Sequence, residues 1–188
     1  MNRKGFTIWE VLVASAMVVI LSTIVLANFR TARTSSERET VLQLLLDGVR
    51  TVRTMSLGGQ IQVNGTFPDS GYGIRFDMAS PSQFVLFALN GTTPETLPNG
   101  LHQFSKIQII TLCGSTVDVP TGQPCDTDWE TAGSVLEVVF TSAGTAAIVT
   151  PTGQTFKHVG GLMRHPVTGQ QAYFYITLQS GLVSGGLL

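Results

Sequence analysis

The sequence predicts an α+β fold: one N-terminal helix followed by mostly antiparallel strands. Three observations predict it. The chain opens with an apolar run whose only ionisable residue between Phe6 and Phe29 is Glu10. Apolar residues then recur at helical spacing as far as the pair Gly58-Gly59. Beyond that pair the texture changes to short alternating runs broken by turn signals.

Composition bounds the problem. A chain of 188 residues is long enough for one domain with a real core. Hydrophobic residues make up 43% and charged residues only 12%, against about 25% charged in an ordinary soluble domain. Little charge fits a chain that spends part of its length in lipid or against partners. Net charge is −1, so no basic excess points to nucleic acid.

The first element is expected over residues 6–29. As a helix rising about 1.5 Å per residue it would cover a hydrocarbon core of about 30 Å. Ala14, Ser15, Ala16 and Ser22 are small enough to let another helix approach closely. Residues 30–59 are expected to continue the helix in amphipathic form. Val41, Leu42, Leu45, Val49 and Val52 share one face, with Arg50 and Arg53 between them. The polar run Thr34-Ser35-Ser36-Glu37 is expected to loosen the middle, and Gly58-Gly59 to end the helix.

Residues 60–188 are expected to form a β-rich domain. Strand-like runs cover residues 60–63, 72–76, 83–89, 106–110, 135–140, 147–149 and 172–178. Asn64-Gly65, Asn90-Gly91 and Asn99-Gly100 read as turns.

Glu10 separates the readings of the N-terminus. A carboxylate at the centre of a membrane helix costs about 2.5–3.5 kcal/mol, and less near an end. A cleaved secretory signal would use Arg3 and Lys4 as its basic region and Val25-Leu26-Ala27 as its cleavage site. Its apolar region is normally shorter, at about 7–15 residues. A plain transmembrane anchor explains the length but not the acid. Lys4-Gly5-Phe6-Thr7-Ile8-Trp9-Glu10 resembles the prepilin motif of type IV pilins and type II secretion pseudopilins. That resemblance implies a leader of residues 1–5, cut by a prepilin peptidase between Gly5 and Phe6. It also implies N-methylation of Phe6 and an assembly contact at Glu10. Implied partners are the peptidase, membrane lipid, other pilin-like subunits and an inner-membrane assembly platform. The chain would cross the bacterial inner membrane once, with its bulk outside the cytoplasm.

Three looser patterns narrow the resemblance. Residues 72–76 followed by Gln83-Phe84-Val85-Leu86 resemble a strand pair of the GspH/FimT pseudopilins. Residues 139–145 resemble their strand-and-turn ending in glycine, and residues 175–181 their last strand. This subgroup implies a minor, tip-forming subunit with a two-sheet β domain on its helix. Some pilus-linked members bind DNA through a basic tail, but no Lys or Arg follows Arg164 here. DNA is therefore not an expected partner. The chain lacks the intramembrane glycine and proline of many major pilins.

Other features carry less. Cys113 and Cys125 have eleven residues between them. They are too few for a zinc site of four ligands. Outside the cytoplasm they read as a disulfide, otherwise as two thiols. Asp126, Asp128 and Glu130 alternate as calcium ligands can, but lack the rest of an EF-hand pattern and read as a solvated loop. His102, His158 and His165 are scattered. Neither a Gly-x-Ser-x-Gly nor a phosphate-loop motif is present. No metal, cofactor or catalytic residue is expected, and the expected role is structural.

Overall fold

The computed structural model describes residues 7–59, 67–118, 120, 122–143, 146–148 and 156–188. Residues up to Glu37 form one compact unit, and those from Arg38 a second. The runs at 60–63 and Asn64-Gly65 lie outside the described residues.

Helix α1 is Ile8–Gly58. Thr34-Ser35-Ser36-Glu37 is helical, so the expected loosening does not occur. Thr and Ser are only modestly poorer helix formers than Ala, and Arg33 Nε reaches Glu37 Oε1 at 3.2 Å one turn on. The helix stops at Gly58, and Gly59 turns out of it with φ +57°.

In the second unit ten strands follow: β1 (Gly71–Asp77), β2 (Gln83–Asn90), β3 (Thr93–Gln103), β4 (Gln108–Ser115), β5 (Glu130–Thr131), β6 (Val135–Phe140), β7 (Ala146–Ile148), β8 (His158–Arg164), β9 (Gln171–Thr177) and β10 (Leu182–Leu187). They make two five-stranded sheets, ordered β3-β2-β1-β6-β7 and β10-β9-β8-β4-β5. Every pairing between described strands is antiparallel.

The core draws on all three layers of this unit. Leu45, Val49 and Val52 of α1 are fully buried, as are Ile74, Phe76, Phe84, Leu136 and Phe140 of the first sheet. Val159, Met163, Phe174 and Ile176 are buried from the second. The rings of Phe76 and Phe174 meet across the sheets at 4.9 Å between centroids. Ser56 ties the helix to the first sheet with one hydroxyl. Its Oγ donates to the Phe140 carbonyl at 2.7 Å and accepts from the Tyr72 N–H at 3.2 Å. Burial raises the Tyr72 phenol above its ordinary pKa.

Two expectations about the strands change. Asn99-Gly100 is not a turn between strands. It is a kink inside β3, with Asn99 at φ +58°. Strand β8 reads His-Val-Gly-Gly-Leu-Met-Arg, with too little β-branched or aromatic character to announce itself. Its glycines serve packing: a Cβ on Gly160 would lie 2.4 Å from the Phe174 carbonyl, and one on Gly161 2.9 Å from the Phe174 ring.

Candidate functional site

The N-terminal unit begins with a built helix terminus. Thr7 precedes α1, and its N–H donates to Glu10 Oε2 at 2.9 Å. Its hydroxyl donates to the same oxygen at 2.9 Å. The Glu10 N–H returns a bond to Thr7 Oγ1 at 3.3 Å. This is a capping box: Thr at the cap and Glu three residues on satisfy helix-end donors that otherwise lack partners. The carboxylate also lies at the positive end of the helix dipole. Both Thr7 bonds fall on Oε2, so Oε1 lies outside the box. A carboxylate offers about four lone-pair sites, and Glu10 keeps capacity for a second partner. The sequence signal was the Thr-x-x-Glu spacing itself, which the reading of Glu10 as an isolated charge passed over.

Along the helix from Glu10 runs a shallow furrow lined by Val11, Ala14, Ser15 and Val18. Its floor is low because Ala14 and Ser15 are small. From Ile8 to Leu26 the helix has a mean hydropathy of 2.3 and buries none of this surface within the chain. Those 19 residues span about 28 Å, close to a hydrocarbon core of about 30 Å. The helix is thus long and apolar enough to cross a membrane. Its hydroxyls are satisfied locally. Ser15 donates to the Leu12 carbonyl at 2.9 Å, Ser22 to Val18 at 2.7 Å and Thr23 to Ile20 at 2.7 Å. Such back-bonding removes the cost of bare hydroxyls in lipid. Gly5 and Phe6, the expected cleavage and methylation positions, lie outside the described residues.

In the β unit, Cys113 on β4 is bonded to Cys125, with Cα atoms 5.4 Å apart. Cys113 is buried, and Cys125 adopts φ +67° in the loop. The bond ties the loop at Cys125 to β4 of the second sheet. His158 is buried, with Nε2 3.0 Å from the Asp118 carbonyl and Nδ1 3.1 Å from Thr177 Oγ1. The carbonyl can only accept, so Nε2 carries a proton; in the neutral ring Nδ1 then accepts from the threonine. Lys157 Nζ reaches Asp118 Oδ1 at 2.6 Å. Hydrogen bonding and charge from Lys157 hold the Asp118 carboxyl below its ordinary pKa.

The remaining candidates do not converge. His102 stacks on Phe84 with centroids 4.8 Å apart. His165 is buried, with Nδ1 accepting the Val167 and Thr168 N–H groups at 3.3 Å. Glu130 sits on β5 opposite Gly114, while the Asp126 carbonyl accepts from the Trp129 N–H at 2.9 Å. Among the described residues no three His, Cys, Asp or Glu side chains gather as metal ligands. A cleft of about 390 Å³ opens beside the end of α1, between Met55, Ser56, Phe67, Asp69 and Ser142. Its walls bring together no nucleophile, base and orienting group.

No protein-family model, no curated protein and no solved structure matches this chain.

Proposed function

We propose that the chain is a minor pilin or pseudopilin of the GspH/FimT kind, a structural subunit of a type II secretion pseudopilus or type IV pilus. One observation carries the reading. Glu10 lies in the first turn of an apolar, unburied helix, directly after the Lys4-Gly5-Phe6 motif. Cleavage between Gly5 and Phe6 creates a cationic amine at the edge of lipid. Glu10 Oε1, which the capping box leaves aside, is the atom that receives it, in the same chain or a neighbour. In low dielectric such an attraction is strong, and an unpaired partner is costly. A filament built this way selects subunits that arrive with a carboxylate to offer.

In this reading the helix anchors the subunit in the inner membrane before assembly and forms the filament core afterwards. The long α1 then carries the two-sheet domain, outside the cytoplasm, to partner subunits near the filament tip. The small-residue furrow beside Glu10 suits close helix packing. The role is assembly, in protein secretion or pilus biogenesis, rather than catalysis.

Mass spectrometry of the mature N-terminus tests the proposal. N-methylated Phe6 as the first residue is the expected result. A mature chain starting at Asn28 would mean release by a signal peptidase and would overturn it.

A further inference from the structure

Among the described strands, the two sheets end in β3, β7, β5 and β10. Three of these edges are poor templates for another strand. β3 carries Pro94, Glu95 and Pro98 and slips register against β2 between Val85 and Phe87. β5 has two residues and β7 three. β10 is different. Its six residues, Leu-Val-Ser-Gly-Gly-Leu, include no proline and no charge. Its register with β9 is unbroken from Leu182 opposite Thr177 to Leu187 opposite Ala172. Soluble sheets normally blunt such edges with lysine, proline, bulges or shortness.

The backbone direction of this edge follows from one bond. The Leu188 N–H donates to the Gln171 carbonyl at 3.0 Å. Antiparallel alternation then turns the N–H and C=O groups of Leu182, Ser184 and Gly186 towards β9. Those of Val183, Gly185 and Leu187 point away from it. The edge is also held in place. Space beside Gly185 is taken by Leu42 Cδ1, 2.7 Å from where a Cβ would stand, and space beside Gly186 by the Tyr173 hydroxyl at 2.9 Å. Buried Arg38 donates through Nη1 to the Gln171 carbonyl at 2.9 Å and to the Leu188 carbonyl at 3.4 Å. Leu182, Leu187 and Leu188 nonetheless stay 59%, 41% and 40% exposed.

We infer that β10 docks on β10 of a second copy, antiparallel, about a two-fold axis at Gly185. The outward-facing residues 183, 185 and 187 are symmetric about Gly185. Gly185 therefore meets its own copy, and Val183 meets the partner's Leu187, with two N–H···O bonds in each pair. A two-fold contact requires this self-complementarity. The absence of charge on β10 matters equally, because like charges facing each other across the axis would repel. Among the described edges no other strand of a second copy is long and regular enough to take this place. The pairing joins two five-stranded sheets into one and brings the exposed leucines together. It does not depend on the filament role, so either idea can fail alone.

The test uses the full chain in detergent, with protein mass read by light scattering over a range of concentrations. Wild type should run at twice the 20.1 kDa chain mass. Exposed Ser184 lies diagonal to its own copy, about 7–8 Å away. Ser184→Lys alone and Ser184→Glu alone should each halve the mass, and mixing the two should restore it. Leu187→Pro removes a donor that β9 does not use. It should also halve the mass while keeping wild-type circular dichroism and no free thiol. Wild type running as a single chain at every concentration overturns the inference. So does a two-chain species that neither the charged variants nor the proline disturbs.

Discussion

At the scale of the residue, Glu10 and Thr7 share one task but differ in how much they bear. Thr7→Val removes the cap at nearly constant volume and should cost about 1 kcal/mol of first-turn stability. Faster amide exchange at residues 8–11 in detergent would show it, with the rest of α1 unchanged. Glu10→Ala removes the carboxylate and the two bonds it accepts from Thr7, but leaves the backbone N–H of residue 10 on Thr7 Oγ1. It should insert in the membrane normally and co-assemble poorly. Normal recovery of that variant in sheared filaments with its partners would remove the pairing role. Asp118 has a pH signature. Its carboxyl is held below the ordinary 3.8 by Lys157, so its contribution is present above that value. It is lost as pH falls through the depressed folded-state pKa. The difference in melting temperature between wild type and Asp118→Asn should therefore be present at about pH 6 and shrink as pH falls below 3.8 through the depressed folded-state pKa. It should also shrink in high salt, because the pair is exposed. The apolar run that becomes the first half of α1 was legible in the sequence. The capping bonds had a signal too, the Thr-x-x-Glu spacing, but it was passed over. The Ser56 bridge was not legible, because a serine late in a helix carries no mark of the two strands it will meet.

At the scale of the element, the face of α1 from Val41 to Val52 was legible because burial and helical period agree there. Leu45→Ala should cost about 2–5 kcal/mol, since the side chain is fully buried. Denaturant unfolding measures it. Gly48→Ala sets two effects against each other. Helix propensity gains about 1 kcal/mol. The new Cβ would stand 2.8 Å from Phe84 Cε2, and that ring is fully buried against Phe76 and Phe104. Overpacking costs about 1–3 kcal/mol, so net destabilisation is expected, read as a lowered unfolding midpoint. Strands β1, β2, β6 and β9 announced themselves by alternation. β3 did not, because Pro94 and Pro98 argue against a strand, and an edge tolerates them where a centre would not. β8 and β10 escaped notice because each holds a glycine pair, whose value lies in neighbours far away in sequence.

At the scale of the whole molecule, α+β with antiparallel strands could be read from the order of periodicities alone. The sheet order could not. β6 lies beside β1 and β4 beside β8, and nothing local in either pair marks its partner. The apolar stretch Ile8–Leu26 predicts behaviour of the whole chain: association with membranes that survives high salt and yields to detergent. Release by salt alone would mean that this helix is not embedded.

The bond between Cys113 and Cys125 dates a molecule's history. A thiol pair closes in an oxidising compartment and stays open in the cytosol. On the proposed reading, in which the β domain is exported, each copy therefore keeps a covalent record of which side of the membrane that domain has visited. Its closure also adds about 3 kcal/mol that a cytosolic copy lacks. A domain exported as proposed becomes sturdier after crossing than before, a one-way ratchet. Alkylation of intact cells, with and without reduction, would count copies waiting against copies delivered.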